Sequence, residues 1–174
     1  SRDLHRLYDF FSYELSRVQA GRNAKVLAEV KPRLADLRGY IPSGTESGWH
    51  MTGEWIELLV QLRKRYTVLS EIYDLTTQMG EALDRNDQTS FSMLLAMRQE
   101  PVLLAQEYEK NIQRICESHP LEQQKRWKSL LGGDAPLDDQ ERLVVNQLEQ
   151  NKRVIGRLVP LDERIYKALN AKKN

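Results

Sequence analysis

Residues 55–84 read WIELLVQLRKRYTVLSEIYDLTTQMGEALD, thirty positions without a proline. Trp55, Leu58, Leu62, Tyr66, Leu69, Ile72, Tyr73, Thr76, Met79 and Leu83 recur in steps of three and four, with Leu59 and Val60 beside the stripe. Such steps return to one side of a 3.6-residue turn. The stretch therefore predicts a single amphipathic helix of about 30 residues from Thr52, about 45–50 Å long at 1.5 Å per residue. Asp84-Arg85-Asn86-Asp87 is polar and ends it.

The segments downstream repeat this design. Phe91, Leu94, Leu95, Val102, Ala105, Tyr108, Ile112 and Ile115 form the apolar side of a second long helix, with Pro101 inside it predicting a kink and His119-Pro120 closing it. Leu121 to Leu131 reads as a short helix, broken by Gly132-Gly133-Asp134. A last long helix starts near Pro136-Leu137-Asp138, where a proline and acidic residues suit a first turn. It carries Leu143, Val144, Leu148, Val154, Ile155, Leu158, Leu161, Ile165 and Leu169, with Pro160 predicting another kink and the tail from Ala171 expected to fray.

Upstream, Asp3 caps a helix expected from Asp3 to Ala20, with Leu4, Leu7, Tyr8, Phe11, Leu15 and Val18 at helical spacing. Phe10 and Tyr13 fall beside that stripe and widen its apolar face, as if a further helix or a partner were to cover it. Gly21 stops the helix, Asn23 caps a second one carrying Val26, Leu27, Val30, Leu34 and Leu37, and Pro32 kinks or splits it. The short loop predicts an antiparallel hairpin. Residues 41–48, Ile-Pro-Ser-Gly-Thr-Glu-Ser-Gly, have linker composition, and His50-Met51 follows. This is either a native loop or a fusion junction with Met51 as an original start. The expected organisation is a hairpin over 1–44, a linker over 45–51 and a long-helix bundle over 52–174. No run alternates with a period of two, so the expected fold is all-α, an antiparallel bundle of coiled-coil-like helices.

Composition narrows the function. The 174 residues carry 26 Lys and Arg against 25 Asp and Glu, a net charge of +1, which argues against a dedicated nucleic-acid binder. Leu, Glu, Gln, Arg, Lys and Ala dominate, the strong helix formers. A single cysteine, Cys116, allows no internal disulfide and fits a reducing, cytoplasmic setting. No apolar run is long enough to span a membrane and no signal peptide is visible.

Catalytic signatures are absent. The three histidines, His5, His50 and His119, lie far apart, and neither H-x-x-x-H, C-x-x-C nor E-x-x-H occurs, so no metal or di-iron site is expected. No glycine-rich phosphate loop or nucleophile elbow is present, and no cofactor is expected. Asp138, Asp139 and Glu141 read as helix-start electrostatics rather than acid–base groups. Cys116, beside Ile115, reads as a packed thiol. Lys125-Arg126-Trp127-Lys128 reads as a solvated face with one packed Trp, the functional alternative being contact with nucleic acid or an acidic membrane. Met79, Met93 and Met97 give the bundle adaptable surfaces for a partner helix. The expectation is a protein that binds and does not catalyse.

Two resemblances make this concrete. Residues 4–38 resemble the C-terminal half of the flagellin export chaperones, the FliS family, through Leu7-Tyr8-Asp9-Phe10, Leu15, the turn Gly21 to Asn23, Leu27-Ala28-Glu29-Val30 and Leu34 to Arg38. The earlier helices of that family's bundle, with their Leu-Tyr-x-Gly pattern, are missing. Residues 55–170 resemble the FlgN-type chaperones of hook-associated proteins, through the long first helix, the turn Asp84 to Asp87, the leucine-rich second helix and Leu161-Asp162-Glu163-Arg164-Ile165-Tyr166. The resemblance implies a cytoplasmic chaperone that covers the terminal segment of a flagellin or hook-associated protein until the export apparatus takes it. It nominates Leu158, Leu161, Ile165, Tyr166 and Leu169 as partner-binding residues, each of which also suits a bundle core. The competing class is a structural coiled-coil or adaptor that forms a homo-oligomer without a flagellar client.

Overall fold

The computed structural model describes residues 6–11 and 52–173. Four helices are α1 (Gly53–Asp84), α2 (Gln88–Glu117), α3 (Leu121–Leu131) and α4 (Asp139–Lys173), and residues 7–11 form one further helical turn. No strand occurs among the described residues, so the fold is an all-α bundle. The second helix of the expected hairpin, the linker and Tyr13 lie outside the described residues.

Local chemistry sets the corners. Asn86, at φ 57°, ends α1, and asparagine is among the few residues that adopt this left-handed region without glycine. The Asn86 amide donates to the Leu83 carbonyl at 3.1 Å and the Asp87 amide to Ala82 at 2.8 Å, which satisfies two otherwise open carbonyls. Asp87 then turns its carboxylate on Ser90, accepting from its amide at 3.0 Å and its hydroxyl at 2.6 Å, and so caps α2. At the far end Gly133 (φ 106°) closes α3 with the same pair of turns, Gly133 to Leu130 and Asp134 to Ser129. Asp138 caps α4 through the Glu141 amide at 2.8 Å, while Glu141 accepts the Leu137 amide at 2.9 Å. The Glu141 carboxylate also receives Arg126 of α3, with Nε 3.0 Å from Oε2 and Nη2 2.5 Å from Oε1, which fastens α3 to the start of α4.

The long helices run up, down and up. The three-residue turn 85–87 sends α2 back along α1. After α3 reverses the chain again, α4 runs parallel to α1. The Thr52 amide meets Gln140 at one end, and Lys172 at the other donates to the Leu83 carbonyl (3.0 Å) and to Asn86 Oδ1 (2.7 Å). Those last bonds explain why α4 continues through Lys173 where fraying was expected. Both internal prolines lie within unbroken helices, Pro101 buried in α2 and Pro160 exposed on α4.

Three clusters fill the bundle along its length. The upper one joins Met79, Ala82 and Leu83 to Phe91, Leu94, Leu95 and Ile165. At Gly80 the Ile165 side chain lies 3.6 Å from where a Cβ would sit, so α1 and α4 come close there. The lower cluster gathers Leu58, Leu62, Ile112, Val144, Val145 and Leu148 beneath Trp127 and Leu130, with α3 serving as a short fourth wall. In the middle the fourth wall comes from elsewhere: Leu7 and Phe11 pack with Leu69, Ile72, Val102, Ala105, Ile155 and Leu158.

Ile72 is fully buried in this middle layer. Ile72→Ala should cost about 2–5 kcal/mol, read as a lower urea midpoint at unchanged slope. Glu141 supplies a second test. The Arg126 hydrogen bond, helped by the Leu137 amide and opposed by burial, holds its carboxyl below the ordinary 4.5. A lowered carboxylate contributes stability above that value and loses it as the pH falls through its lower folded pKa. Glu141→Gln should therefore flatten the fall in stability below about pH 4.5 relative to the unchanged protein, measured by urea titration at a series of pH values.

Candidate partner-docking groove

Arg98 of α2 and Asp162 of α4 both occupy positions in the apolar phase of their helices. Arg98 follows Leu94 by four residues and precedes Val102 by four, and Asp162 follows Leu158 by four and precedes Ile165 by three. Helical geometry turns both inward, where they are 3% and 1% exposed. They meet there, Arg98 Nη1 donating to Asp162 Oδ1 at 2.7 Å. The same nitrogen lies 3.1 Å from the Thr76 hydroxyl of α1, which in turn donates to the Ile72 carbonyl at 2.6 Å. One polar node thus joins all three long helices.

The second carboxylate oxygen of Asp162 accepts the backbone N–H of Leu7 at 2.8 Å. Leu7 opens the helical turn 7–11, so Asp162 acts as an N-cap supplied by a distant part of the chain. An anionic oxygen at the first turn of a helix satisfies an amide that has no partner within that helix. Around this bond, Arg6 forms an ion pair with Glu163, its Nε 3.0 Å from Oε1, and places its guanidinium 4.7 Å from the centre of the Tyr166 ring. One turn further on, the guanidinium of Arg65 lies 5.7 Å from the centre of the Phe11 ring, while its Nε donates to the Ala105 carbonyl at 3.2 Å. Leu7 and Phe11 are 1% and 0% exposed. Beside them an open groove of about 300 Å³ is lined by Leu7, Phe10, Leu95, Arg98, Gln99, Val102 and Leu103.

The residues nominated from the sequence are distributed unevenly. Leu158 is completely buried beneath Leu7 and Phe11, and Ile165 is buried in the upper cluster. Leu161, Tyr166 and Leu169 are half-buried against that upper cluster, and Tyr166 touches the docked segment through Arg6. Phe10 is half-buried and lines the groove. Sequence reasoning missed Asp162, Arg98, Thr76 and Arg65 as a unit. The signal was there: a charge at a position whose helical neighbours are all apolar must find a buried partner.

Other candidates resolve into packing. Trp127 is buried edge-on against Trp55, the rings 6.1 Å apart, and Arg126 is engaged by Glu141. Burial pushes the Cys116 thiol up to about 12, which keeps it a thiol rather than a nucleophile at neutral pH. Among the described residues no group of three or more His, Cys, Asp or Glu could hold a metal ion, and no helix is long and apolar enough to cross a membrane. No family model matches the chain, and no curated protein or solved structure is significantly similar to it.

Breaking the buried pair on one side only leaves a charge without a partner. Arg98→Met should cost about 3–5 kcal/mol in urea unfolding, whereas Arg98→Met combined with Asp162→Leu should recover most of that loss. Equal losses in the single and double variants would remove the pair from the account of the core.

Proposed function

We propose that the chain is a secretion chaperone that covers the terminal helix of a flagellar axial subunit, a flagellin or a hook-associated protein, before the export apparatus receives it. One observation carries the reading. The bundle accepts a turn of helix from a remote part of the chain and takes its leucine and phenylalanine to complete burial. A surface able to do that for residues 7–11 has the chemistry required of a holdase: apolar area to cover and a polar anchor to set direction. The resemblances of residues 4–38 and 55–170 to flagellar chaperones supply the client class. On this reading the work is done by burial in the cytoplasm, with neither a cofactor nor a catalytic step.

A second reading has its own support. Met93, Met97 and Leu103 on α2 and Ile56 and Val60 on α1 are exposed, Leu103 by 63%. Two copies meeting on these faces would make a self-associating coiled-coil or adaptor protein instead.

Size-exclusion chromatography with light scattering separates the two. The chaperone reading expects a stable complex of defined stoichiometry when the protein is mixed with purified flagellin or hook-associated protein. A discrete oligomer of the protein alone, with no complex to any flagellar subunit, would favour the self-associating form.

A further inference from the structure

We infer that the groove over Asp162 is a directional docking site for the first turn of an amphipathic helix. The sequence it selects is basic–Leu–x–x–aromatic–aromatic, and Arg6 to Phe11 is an exchangeable resident that an incoming helix of the same pattern displaces. The inference rests on the chaperone reading only for the identity of the incoming helix; the docking chemistry stands on the groove.

Three features specify the ligand. The free lone pairs of Asp162 Oδ2 point at a backbone amide, so the site reads the N-terminal end of a helix rather than its middle, where amides are already used. Arg98 holds the other oxygen, so the carboxylate cannot turn away to water. Glu163 and Tyr166 together select a cation one residue before the capped amide, the first by charge and the second by its ring face. Below, the layer of Leu69, Ile72, Ile155 and Leu158 requires an apolar residue at the capped position and another four residues later, where Leu7 and Phe11 stand.

Two features make the resident exchangeable. It contributes a single helical turn, far short of the length at which a helix is stable by itself, so its order depends on the groove. It also underfills the site. The open groove beside it leaves Phe10 half-buried and Leu103 63% exposed, area that a longer or bulkier helix would cover. Covalent attachment gives the resident a high local concentration, so an external helix competes at a disadvantage until the resident is weakened.

The test uses the full chain and a fluorescent peptide of residues 1–14, followed by anisotropy. Leu7→Asp combined with Phe11→Asp should vacate the groove and tighten binding of the peptide by about tenfold over the unchanged protein. A peptide carrying Arg6→Glu should bind that chain about threefold more weakly, and adding Glu163→Arg to the chain should restore it. Circular dichroism checks that the double variant keeps its helix content. Should it fail to fold, the chain carrying Arg6→Glu, a substitution at a largely exposed side chain, takes its place and should bind the unaltered peptide more tightly than the unchanged protein does. Absence of saturable binding to the folded variant, or binding indifferent to both charge reversals, would overturn the inference. The two proposals fail separately. Peptide binding without any flagellar complex would keep the docking site and remove the client, whereas a flagellar complex equally strong in the vacated and unchanged chains would keep the chaperone and remove the docking role.

Discussion

A carboxylate with 1% exposure in the middle of three packed helices has to be neutralised on both oxygens, and nearly everything distinctive about this bundle follows from how Asp162 achieves that. Arg98 satisfies one oxygen and, through Thr76, ties α2 to α1. The other oxygen reaches outside the bundle to the amide of Leu7. Had the position been leucine, three helices could have closed on themselves with a continuous apolar seam. A buried charge costs several kcal/mol in desolvation unless fully paired, so the fold is committed to bringing a fourth element to this level.

The fourth wall is accordingly built in pieces. Near the α1 N-terminus α3 covers the core with Trp127 and Leu130, held by the Arg126–Glu141 pair. In the middle the helical turn 7–11 covers it. Between these two, a cavity of about 350 Å³ is lined by Arg65, Glu109, Asn151, Lys152 and their neighbours. Near the other end the three helices suffice, because Gly80 and Ala82 let them approach closely around Ile165 and Phe91.

How much of this could be read beforehand depended on the range of the interaction. The boundaries of α1, α2 and α3 were legible because short-range signals set them: apolar steps of three and four, the polar turn at 84–87, Pro120 and the Gly132-Gly133 break. The start of α4 was legible in Asp138 and Glu141, but its end was not, since Lys172 is held by bonds to the α1–α2 turn rather than by its own sequence neighbours. The direction of α4 was equally hidden. The reversal through α3 makes it parallel to α1, and no periodicity within a helix encodes the sense of its neighbour. The docking groove was half legible. Phe10 was recognised as surplus apolar surface and Leu158 and Tyr166 were named, but as parts of a C-terminal helix face. Their meeting with Leu7 across 155 residues of sequence is a tertiary fact, announced only by charges out of place at 98 and 162.

That separation also orders events in time. The α1–α2 corner is encoded within a few residues by Asn86 and Asp87 and can form as soon as it is synthesised. Leu7 leaves the ribosome 155 residues before Asp162 does, about 8–30 s at ordinary elongation rates. Throughout that interval the apolar side of Leu7, Phe10 and Phe11 has no groove to enter. The segment that later completes the bundle therefore begins life as a sticky leader, and its first chance of cover comes only after almost the whole chain has been made.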